Sequence, residues 1–83
     1  MMDEKAIYEK LTTIFRDILD DEAITLTPQT TADDIADWDS VNHINIVVAA
    51  ESSFGVKFKS AEIEELKNVG ELVTLIQRHL AAK

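Results

Sequence analysis

The sequence predicts an all-α fold: a small bundle of three longer helices and one short helix, with a long loop between the first two. Two segments near the chain ends carry apolar residues at helical spacing. The one run that alternates like a β-strand, residues 56–58, has no second run to pair with, so we predict a loop there. Eighty-three residues with 46% hydrophobic content suit a single domain over residues 1–83.

The first helix is predicted at about residues 4–19. Its apolar residues recur every three or four positions, as the buried face of a helix requires: Ile7, Leu11, Ile14, Phe15 and Ile18. Asp3 precedes this run and is the expected N-cap, because a short acidic side chain accepts hydrogen bonds from the free N–H groups of the first turn.

Residues 20–39 lose this periodicity and form the predicted long loop. The segment is polar, includes Thr-Pro-Gln-Thr-Thr, and is too long for a tight turn. Three apolar residues are expected to hold it to the bundle: Leu26, Ile35 and Trp38. For Trp38 we favour this packing role over a direct partner contact, because a large aromatic side chain within a polar loop is usually buried.

A second helix is predicted from about Ser40 to Ser53. It ends at Phe54-Gly55, where glycine suits the left-handed conformation that closes many helices. Its apolar residues occupy more of the helix surface than one buried stripe requires: Val41, Ile44, Ile46, Val47, Val48 and Ala50. Some of them must therefore face outward, unless the helix is buried on all sides.

Two further helices complete the predicted bundle. Ser60 begins a short helix through Lys67, and Asn68 and Glu71 have the spacing of a capping box at the start of the last helix. The last helix has an apolar face: Val69, Leu72, Val73, Ile76 and Leu80. Basic residues lie near its C-terminus, where the helix dipole favours cations: Arg78, His79 and Lys83.

The net charge of −8 is unevenly distributed, because no lysine or arginine lies between Asp17 and Val56. Such a field repels nucleic acid and anionic lipid and attracts proteins with basic patches, although it also serves solubility alone. The chain has no cysteine, no signal-like apolar run and no stretch long enough to span a bilayer. We expect a soluble cytoplasmic monomer that inserts into no membrane.

Catalysis and metal binding are not expected. Ser40 lacks the flanking glycines of a hydrolase nucleophile turn, and although His43 follows within one turn, so small a bundle offers little room for a reaction pocket. The acids between Asp33 and Asp39 do not follow the spacing of a calcium-binding loop. We therefore predict a protein without enzymatic activity and without a dedicated metal site.

The most informative stretch is Asp-Trp-Asp-Ser-Val at residues 37–41, where the second helix begins. Together with Phe-Gly-Val at 54–56 and Val-Gly-Glu at 69–71, it resembles the acyl carrier and peptidyl carrier protein family, whose attachment site reads Asp-Ser-Leu. Valine stands here in place of that leucine. The resemblance covers about residues 35–80 closely and the first helix by pattern only.

This resemblance implies a carrier that holds thioester intermediates on a 4'-phosphopantetheine arm attached to Ser40. A phosphopantetheinyl transferase would move the arm from coenzyme A, with Asp39 helping it to recognise the site. A helix N-terminus also suits an attached phosphate, because its free N–H groups and dipole favour anions. On position alone, Ser40 could instead be an ordinary N-cap, and Asp39 an acid favourable to the helix dipole.

The resemblance further implies an acyl-loading ligase or acyltransferase and downstream synthase or tailoring enzymes, in fatty acid, polyketide or nonribosomal-peptide-type biosynthesis. These enzymes would dock on the second helix through Val41, Val48 and Glu51. Three residues of that helix are assigned to the core: Ile44, Val47 and Phe54. Uncharged residues stand where fatty-acid-type carriers commonly have acids, which favours less basic partners: Asn42, His43 and Asn45.

Long acyl chains in this family lie between the second, third and fourth helices, where Phe58, Ile63, Leu66 and Leu72 are the implied lining. At the positions of Ile63 and Leu72 many fatty-acid-type carriers have alanine, so the larger residues favour a short or polar cargo. Ala50 returns part of that space, since the usual residue there is larger. The alternative function is an unmodified acidic helical module that binds a partner protein through the second helix.

Overall fold

A computed structural model describes residues 3–82, which form four α-helices. Their bounds are α1 Glu4–Leu19, α2 Ser40–Phe54, α3 Ser60–Glu64 and α4 Val69–Ala81, and a short 3₁₀ helix, Ala32–Asp34, lies between α1 and α2. No strand occurs within residues 3–82, and the predicted all-α bundle is confirmed. Of the helices in this range, none combines the length and the apolar character that crossing a membrane requires.

Both ends of α1 have a clear local cause. The Asp3 carboxylate accepts a hydrogen bond from the Ala6 N–H at 2.8 Å, which confirms the predicted N-cap, and Asp20 ends the helix with a left-handed φ of 52°. The buried residues of this helix are Ile7, Leu11, Ile14, Phe15 and Leu19. Ile18, predicted in this set, is only half-buried, because successive side chains are about 100° apart and Leu19 takes the last inward position.

The long loop is held to the bundle by Trp38, as predicted. Its ring lies edge-on to Phe15 of α1, with 4.9 Å between the ring centroids, and only 9% of Trp38 is exposed. Leu26 and Ile35 pack against the core only in part. Two buried loop residues lie outside the predicted set: Ile24 and Thr30. A hydrophobic pattern misses Thr30 because it is polar, but its hydroxyl accepts a hydrogen bond from the loop backbone.

The loop also contacts the first turn of α4 through its backbone. The Thr30 carbonyl accepts a hydrogen bond from the Val69 N–H at 2.8 Å, and the Pro28 carbonyl accepts one from the Gly70 N–H at 3.0 Å. The first N–H groups of a helix have no partner within it, so the loop satisfies both. A Cβ atom on Gly70 would lie 2.8 Å from the Pro28 carbonyl oxygen. Glycine is therefore required where these two backbones approach.

We expect Gly70→Ala to lower the free energy of unfolding by about 1–3 kcal/mol, because the added methyl group must displace the Pro28 backbone. Helix propensity alone predicts the opposite, a gain of up to about 1 kcal/mol from replacing glycine. Urea unfolding measures the difference, with Thr74→Ala at an exposed position of α4 as the control. A Gly70→Ala protein more stable than wild type would contradict the close approach.

The end of α2 and the segment after it agree with the sequence. Gly55 closes the helix in the left-handed conformation, with a φ of 67°. Residues 56–58 form the predicted loop, in which both apolar side chains are buried. The Phe58 N–H donates a hydrogen bond to the Glu51 carboxylate at 2.8 Å, so a side chain of α2 holds this loop in place.

α3 is shorter than predicted, because it ends at Glu64 instead of continuing to Lys67. Asn68 adopts an extended conformation, with a φ of −152°, to cap α4, so the chain must leave the helix before it. The Asn68 side chain accepts the Glu71 N–H at 2.8 Å, but the Glu71 carboxylate accepts the Lys67 N–H instead of the Asn68 N–H. The predicted capping box is therefore half formed.

α4 packs against α1 and completes the core. Its buried residues are Val69, Leu72, Val73, Leu75 and Ile76. Leu80, predicted on this face, is half-buried, and Leu75 is buried although it was not predicted. Arg78 and His79 lie in the last turn as predicted, and Lys83 lies outside the described residues.

A hydrogen bond connects α3 to α4. His79 Nε2 lies 3.1 Å from Oε1 of Glu62, and the Phe58 ring packs edge-on against the imidazole, with 5.2 Å between centroids. The backbone N–H of Lys59 lowers the pKa of the Glu62 carboxyl, and its hydrogen bond to His79 lowers that pKa further. A side-chain contact thus joins the short α3 to the last turn of α4.

Candidate functional site

Ser40 is the first residue of α2, and its side chain is exposed. The N-cap is Asp39, whose carboxylate accepts the Asn42 N–H at 2.9 Å while its backbone is extended, with φ −98° and ψ −173°. The interpretation of Ser40 as the N-cap is therefore wrong, because Ser40 already has helical geometry. The Ser40 hydroxyl stands beside the positive end of the helix dipole, an environment that favours an attached anion.

The turn before α2 holds Ser40 in a defined position. Asp37 has a left-handed φ of 69°, which aspartate tolerates better than most residues. Its carbonyl accepts two hydrogen bonds, from the Asp39 N–H at 2.9 Å and from the Asn42 side chain at 2.8 Å. Asn42 thus links the helix to its own entrance turn, a role that its sequence position did not reveal.

An open groove of about 910 Å³ lies beside Ser40, between the start of α2 and the α3 region. Its lining includes Trp38, Ser40, His43, Ile44, Ile63, Leu66 and Leu72. Three of the predicted pocket residues therefore come together next to Ser40. Phe58, the fourth predicted residue, does not line this groove and packs against His79 instead.

His43 forms part of the groove wall. Its Nδ1 accepts a hydrogen bond from the Trp38 indole N–H at 3.2 Å, so the neutral imidazole carries its proton on Nε2. Burial lowers the pKa of His43, and the backbone carbonyl of Ile63 opposes this shift. In this tautomer the imidazole has no free lone pair with which to deprotonate Ser40. The sequence placed His43 near Ser40 but gave no signal of the bond to Trp38.

The outer face of α2 is apolar. Val41, Ile44 and Val48 are 69%, 60% and 57% exposed, and their spacing of three and four residues puts them on one side of the helix. The prediction that Ile44 faces the core is wrong, because Ile46 occupies the inward position and is fully buried. The alternative of a helix buried on all sides is wrong for the same reason.

The remaining predicted positions of α2 divide between core and surface. Val47 and Phe54 are buried as predicted. Glu51 is half-buried, and its carboxylate is occupied by the Phe58 N–H. It therefore has a structural function that its assignment as a docking acid did not include. Within residues 3–82, no three histidine, cysteine or acidic side chains are grouped closely enough to hold a metal ion.

Several known proteins are similar to this chain in sequence and in fold. A family model described as "Phosphopantetheine attachment site" matches residues 9–76. An acyl carrier protein from Thermobifida fusca is 33% identical over 75 residues, which cover 90% of this chain and 95% of the relative. Another from Petrotoga mobilis is 35% identical, covering 95% of this chain and 93% of the relative. The chain belongs to the acyl carrier protein family.

The fold agrees with this assignment. The solution structure of a holo acyl carrier protein from Geobacter metallireducens matches with a TM-score of 0.85 and 43% sequence identity, covering 92% of this chain and 87% of the other. The resemblance drawn from the sequence is thereby confirmed. The chain therefore functions as a carrier, and its cofactor is covalently attached 4'-phosphopantetheine.

The residues of this acyl carrier protein suit that cofactor. Ser40 offers an exposed hydroxyl for an ester bond, and because Asp39 caps the helix, this hydroxyl is not needed for the fold. The adjacent groove offers apolar contacts with Ile44, Ile63 and Leu72 and is also lined by polar side chains from α2 and the α3 region. The arrangement can hold a flexible chain that starts at Ser40.

Proposed function

We propose that Ser40 is the attachment residue and that this protein holds an acyl or related intermediate as a thioester on its phosphopantetheine arm. The observation that carries the proposal is the exposed Ser40 hydroxyl at the first position of α2, with Asp39 as the cap. The Ser40 oxygen would form the ester to phosphate and lose its proton, while coenzyme A releases its adenosine bisphosphate part. When bound, the arm supplies a terminal thiol that keeps the acyl group activated and raises its concentration at each partner enzyme.

Intact mass spectrometry tests this proposal. The purified protein is incubated with coenzyme A and a promiscuous phosphopantetheinyl transferase, and peptide mapping then locates the modification. The expected result is one added phosphopantetheine on the peptide that contains Ser40. An unmodified protein that still binds a partner through α2 would instead support an acidic helical interaction module.

We propose fatty acid, polyketide or nonribosomal-peptide-type biosynthesis as the setting, with a loading ligase or acyltransferase and downstream synthases as partners. The charge of α2 bears on how these enzymes bind. Glu51 is the only acidic residue within the helix, and its carboxylate is already hydrogen-bonded. The exposed apolar face supports docking onto a partner surface that is itself apolar and only weakly basic.

We expect Val48→Asp to reduce kcat/KM for modification or loading, because it places a charge in the middle of this apolar face. Its effect on the free energy of unfolding should stay below about 0.5 kcal/mol, since the side chain is exposed. Ser53→Asp adds the same charge elsewhere on α2 and is the matched control. Equal kcat/KM values for the two variants would show that this apolar face is not part of the docking surface.

Asp39 has two separable roles in this proposal, the cap and recognition by the transferase. Asn is as good an N-cap as Asp, so Asp39→Asn should preserve stability while removing the charge. We expect a slower initial rate of phosphopantetheine addition, measured by mass spectrometry under limiting transferase. Asp33→Asn removes a charge from the same loop and should leave that rate unchanged. If the two variants react equally fast, the charge of Asp39 has no part in recognition.

We also propose a short or polar cargo. Leu72 is almost fully buried and Ile63 is half-buried, so both side chains fill space between α2, α3 and α4. Ala50 is fully buried within the packed core. A long alkyl chain could enter only by breaking packing contacts in a core that tolerates little extra volume.

A further inference from the structure

A continuous row of aromatic side chains runs from the core to the groove beside Ser40. Phe15 is fully buried on α1, and Trp38 lies edge-on to it at 4.9 Å. The Trp38 indole N–H then donates to His43 Nδ1 at 3.2 Å, and the centroids of these two rings are 5.9 Å apart. We call the Trp38 and His43 side chains together the barrier.

The imidazole of the barrier also lies close to α3. With Nδ1 accepting from Trp38, the proton resides on Nε2, and the backbone carbonyl of Ile63 faces the imidazole. His43 of α2 is thus hydrogen-bonded to Trp38 of the loop and lies beside the α3 backbone at Ile63. Protonation at Nδ1 would remove the acceptor of the Trp38 indole.

The barrier lines the same groove as Ser40. Ser40 and His43 are three residues apart on α2 and therefore on the same side of the helix, and both line the groove. Leu72, the most buried residue of the groove lining, is 1% exposed, and Ile46, which does not line the groove, is fully buried. A chain that starts at Ser40 and turns inward past His43 would displace the His43 ring and leave the Trp38 indole N–H without its acceptor.

We propose that His43 is a specificity-determining residue of this carrier: with Trp38 it closes the way from Ser40 to the interior, so that the cargo stays in the surface groove. The proposal rests on attachment at Ser40. A cargo excluded from the interior gains little from a long alkyl chain, because the chain remains in contact with water. Short acyl groups, and groups with polar substituents, carry no such penalty.

The first experiment compares amide NMR spectra of the holo protein with those of its butanoyl and octanoyl forms. Promiscuous transferases that accept acyl-coenzyme A substrates load both chains directly. The reporters are amides of fully buried residues that do not line the groove: Ile46, Ala50 and Ile76. The variants are His43→Ala, which opens the barrier, and Asn45→Ala, which removes a side chain from an exposed position of the same helix.

In the wild type and in Asn45→Ala, octanoylation should shift the three reporter amides no more than butanoylation does. In His43→Ala it should shift them several-fold more and raise the melting temperature, because the chain enters the core. Large shifts in the wild type would overturn the proposal, as would equally small shifts in His43→Ala. Should His43→Ala fail to fold, His43→Thr opens the barrier with a less drastic loss of volume.

A chemical attachment separates this proposal from the function on which it rests. Because the chain has no cysteine, Ser40→Cys introduces a single thiol that an octyl-bearing iodoacetamide alkylates. If no transferase modifies Ser40, the proposed function fails, yet the conjugate still reports whether a chain at this position enters the bundle. Two outcomes would again overturn the proposal. One is a large reporter shift in the conjugate that retains His43, and the other is the absence of shifts in the conjugate that carries His43→Ala.

The barrier itself has a direct readout, because Trp38 is the only tryptophan and gives one indole N–H resonance. The indole resonance should move together with His43 protonation and should be displaced in His43→Ala at neutral pH. Burial lowers the pKa of His43 from 6.5, so the bond persists at neutral pH and is lost only as the pH falls below that value. The other charged groups around the groove are Asp39, Glu64 and Lys67. If the indole resonance responded neither to lowering the pH nor to His43→Ala, the hydrogen bond between Trp38 and His43 would not exist in solution.

Discussion

Replacing Ser40 by alanine will abolish the gain of phosphopantetheine and leave the protein folded. The Ser40 hydroxyl is the proposed acceptor of the phosphopantetheine group, so a protein without it should gain no phosphopantetheine at all. The fold does not depend on it, because Asp39 provides the hydrogen bond that caps α2. Alanine is also the best helix former, so the free energy of unfolding should change by less than about 0.5 kcal/mol.

Two measurements on Ser40→Ala check this result: intact mass after incubation with coenzyme A and transferase, and urea unfolding followed by circular dichroism. Asp39→Ala is the informative comparison, because losing the cap should cost about 1 kcal/mol. A mass gain in Ser40→Ala would place the arm on another residue. If Ser40→Ala were less stable than Asp39→Ala, Ser40 and not Asp39 would be the residue that the helix start requires.

Phe15→Ala will have the largest effect on stability. Phe15 is fully buried and supports Trp38 by an edge-on contact, so its removal leaves a cavity between α1 and the long loop. Truncation of a buried phenylalanine costs about 3–5 kcal/mol. A domain of this size has a total stability near the lower end of about 5–15 kcal/mol, so most of the protein's stability would be lost.

Denaturant unfolding of Phe15→Ala, with Phe15→Leu as the matched control, measures this effect. Leucine fills most of the space, and a substitution that conserves most of the volume costs less than about 1.5 kcal/mol. Trp38 fluorescence should also report increased solvent contact in the alanine variant before global unfolding. A Phe15→Ala protein as stable as Phe15→Leu would mean that the Phe15 and Trp38 rings do not form the packed centre described above.

Local sequence patterns specify the helices of this protein, so the sequence alone was sufficient to predict them. The spacing from Ile7 to Phe15 identifies the inner face of α1, and Asp3 and Gly55 mark a helix start and a helix end by chemistry that needs no distant residue. Ser40 also emerged from its neighbours, because the motif around it lies within one short segment. The alternative that Ser40 is the N-cap was wrong by one residue, because the first helical residue and the cap before it differ only in backbone angles.

The orientation of α2 could not be read in the same way. Both Ile44 and Ile46 are apolar, and a helix with apolar residues on several sides offers no single stripe from which to choose the buried one. Packing against α1 and α4 determines the orientation of α2. It buries Ile46 in the core and leaves Ile44 exposed. Likewise, Glu51 acquired a structural bond only because the backbone of Phe58 returns to it after the turn.

The sequence by itself determined the helical class, most helix boundaries and the serine at the start of α2. Only the tertiary structure decided that Leu72 and Ile63 meet at the groove while Phe58 packs elsewhere against His79. It likewise decided that Trp38 and His43 are hydrogen-bonded beside Ser40. The physical reason is the range of the forces involved: caps, turns and helical spacing act over a few residues, whereas the choice of a packing partner depends on side chains that folding brings together from distant parts of the chain.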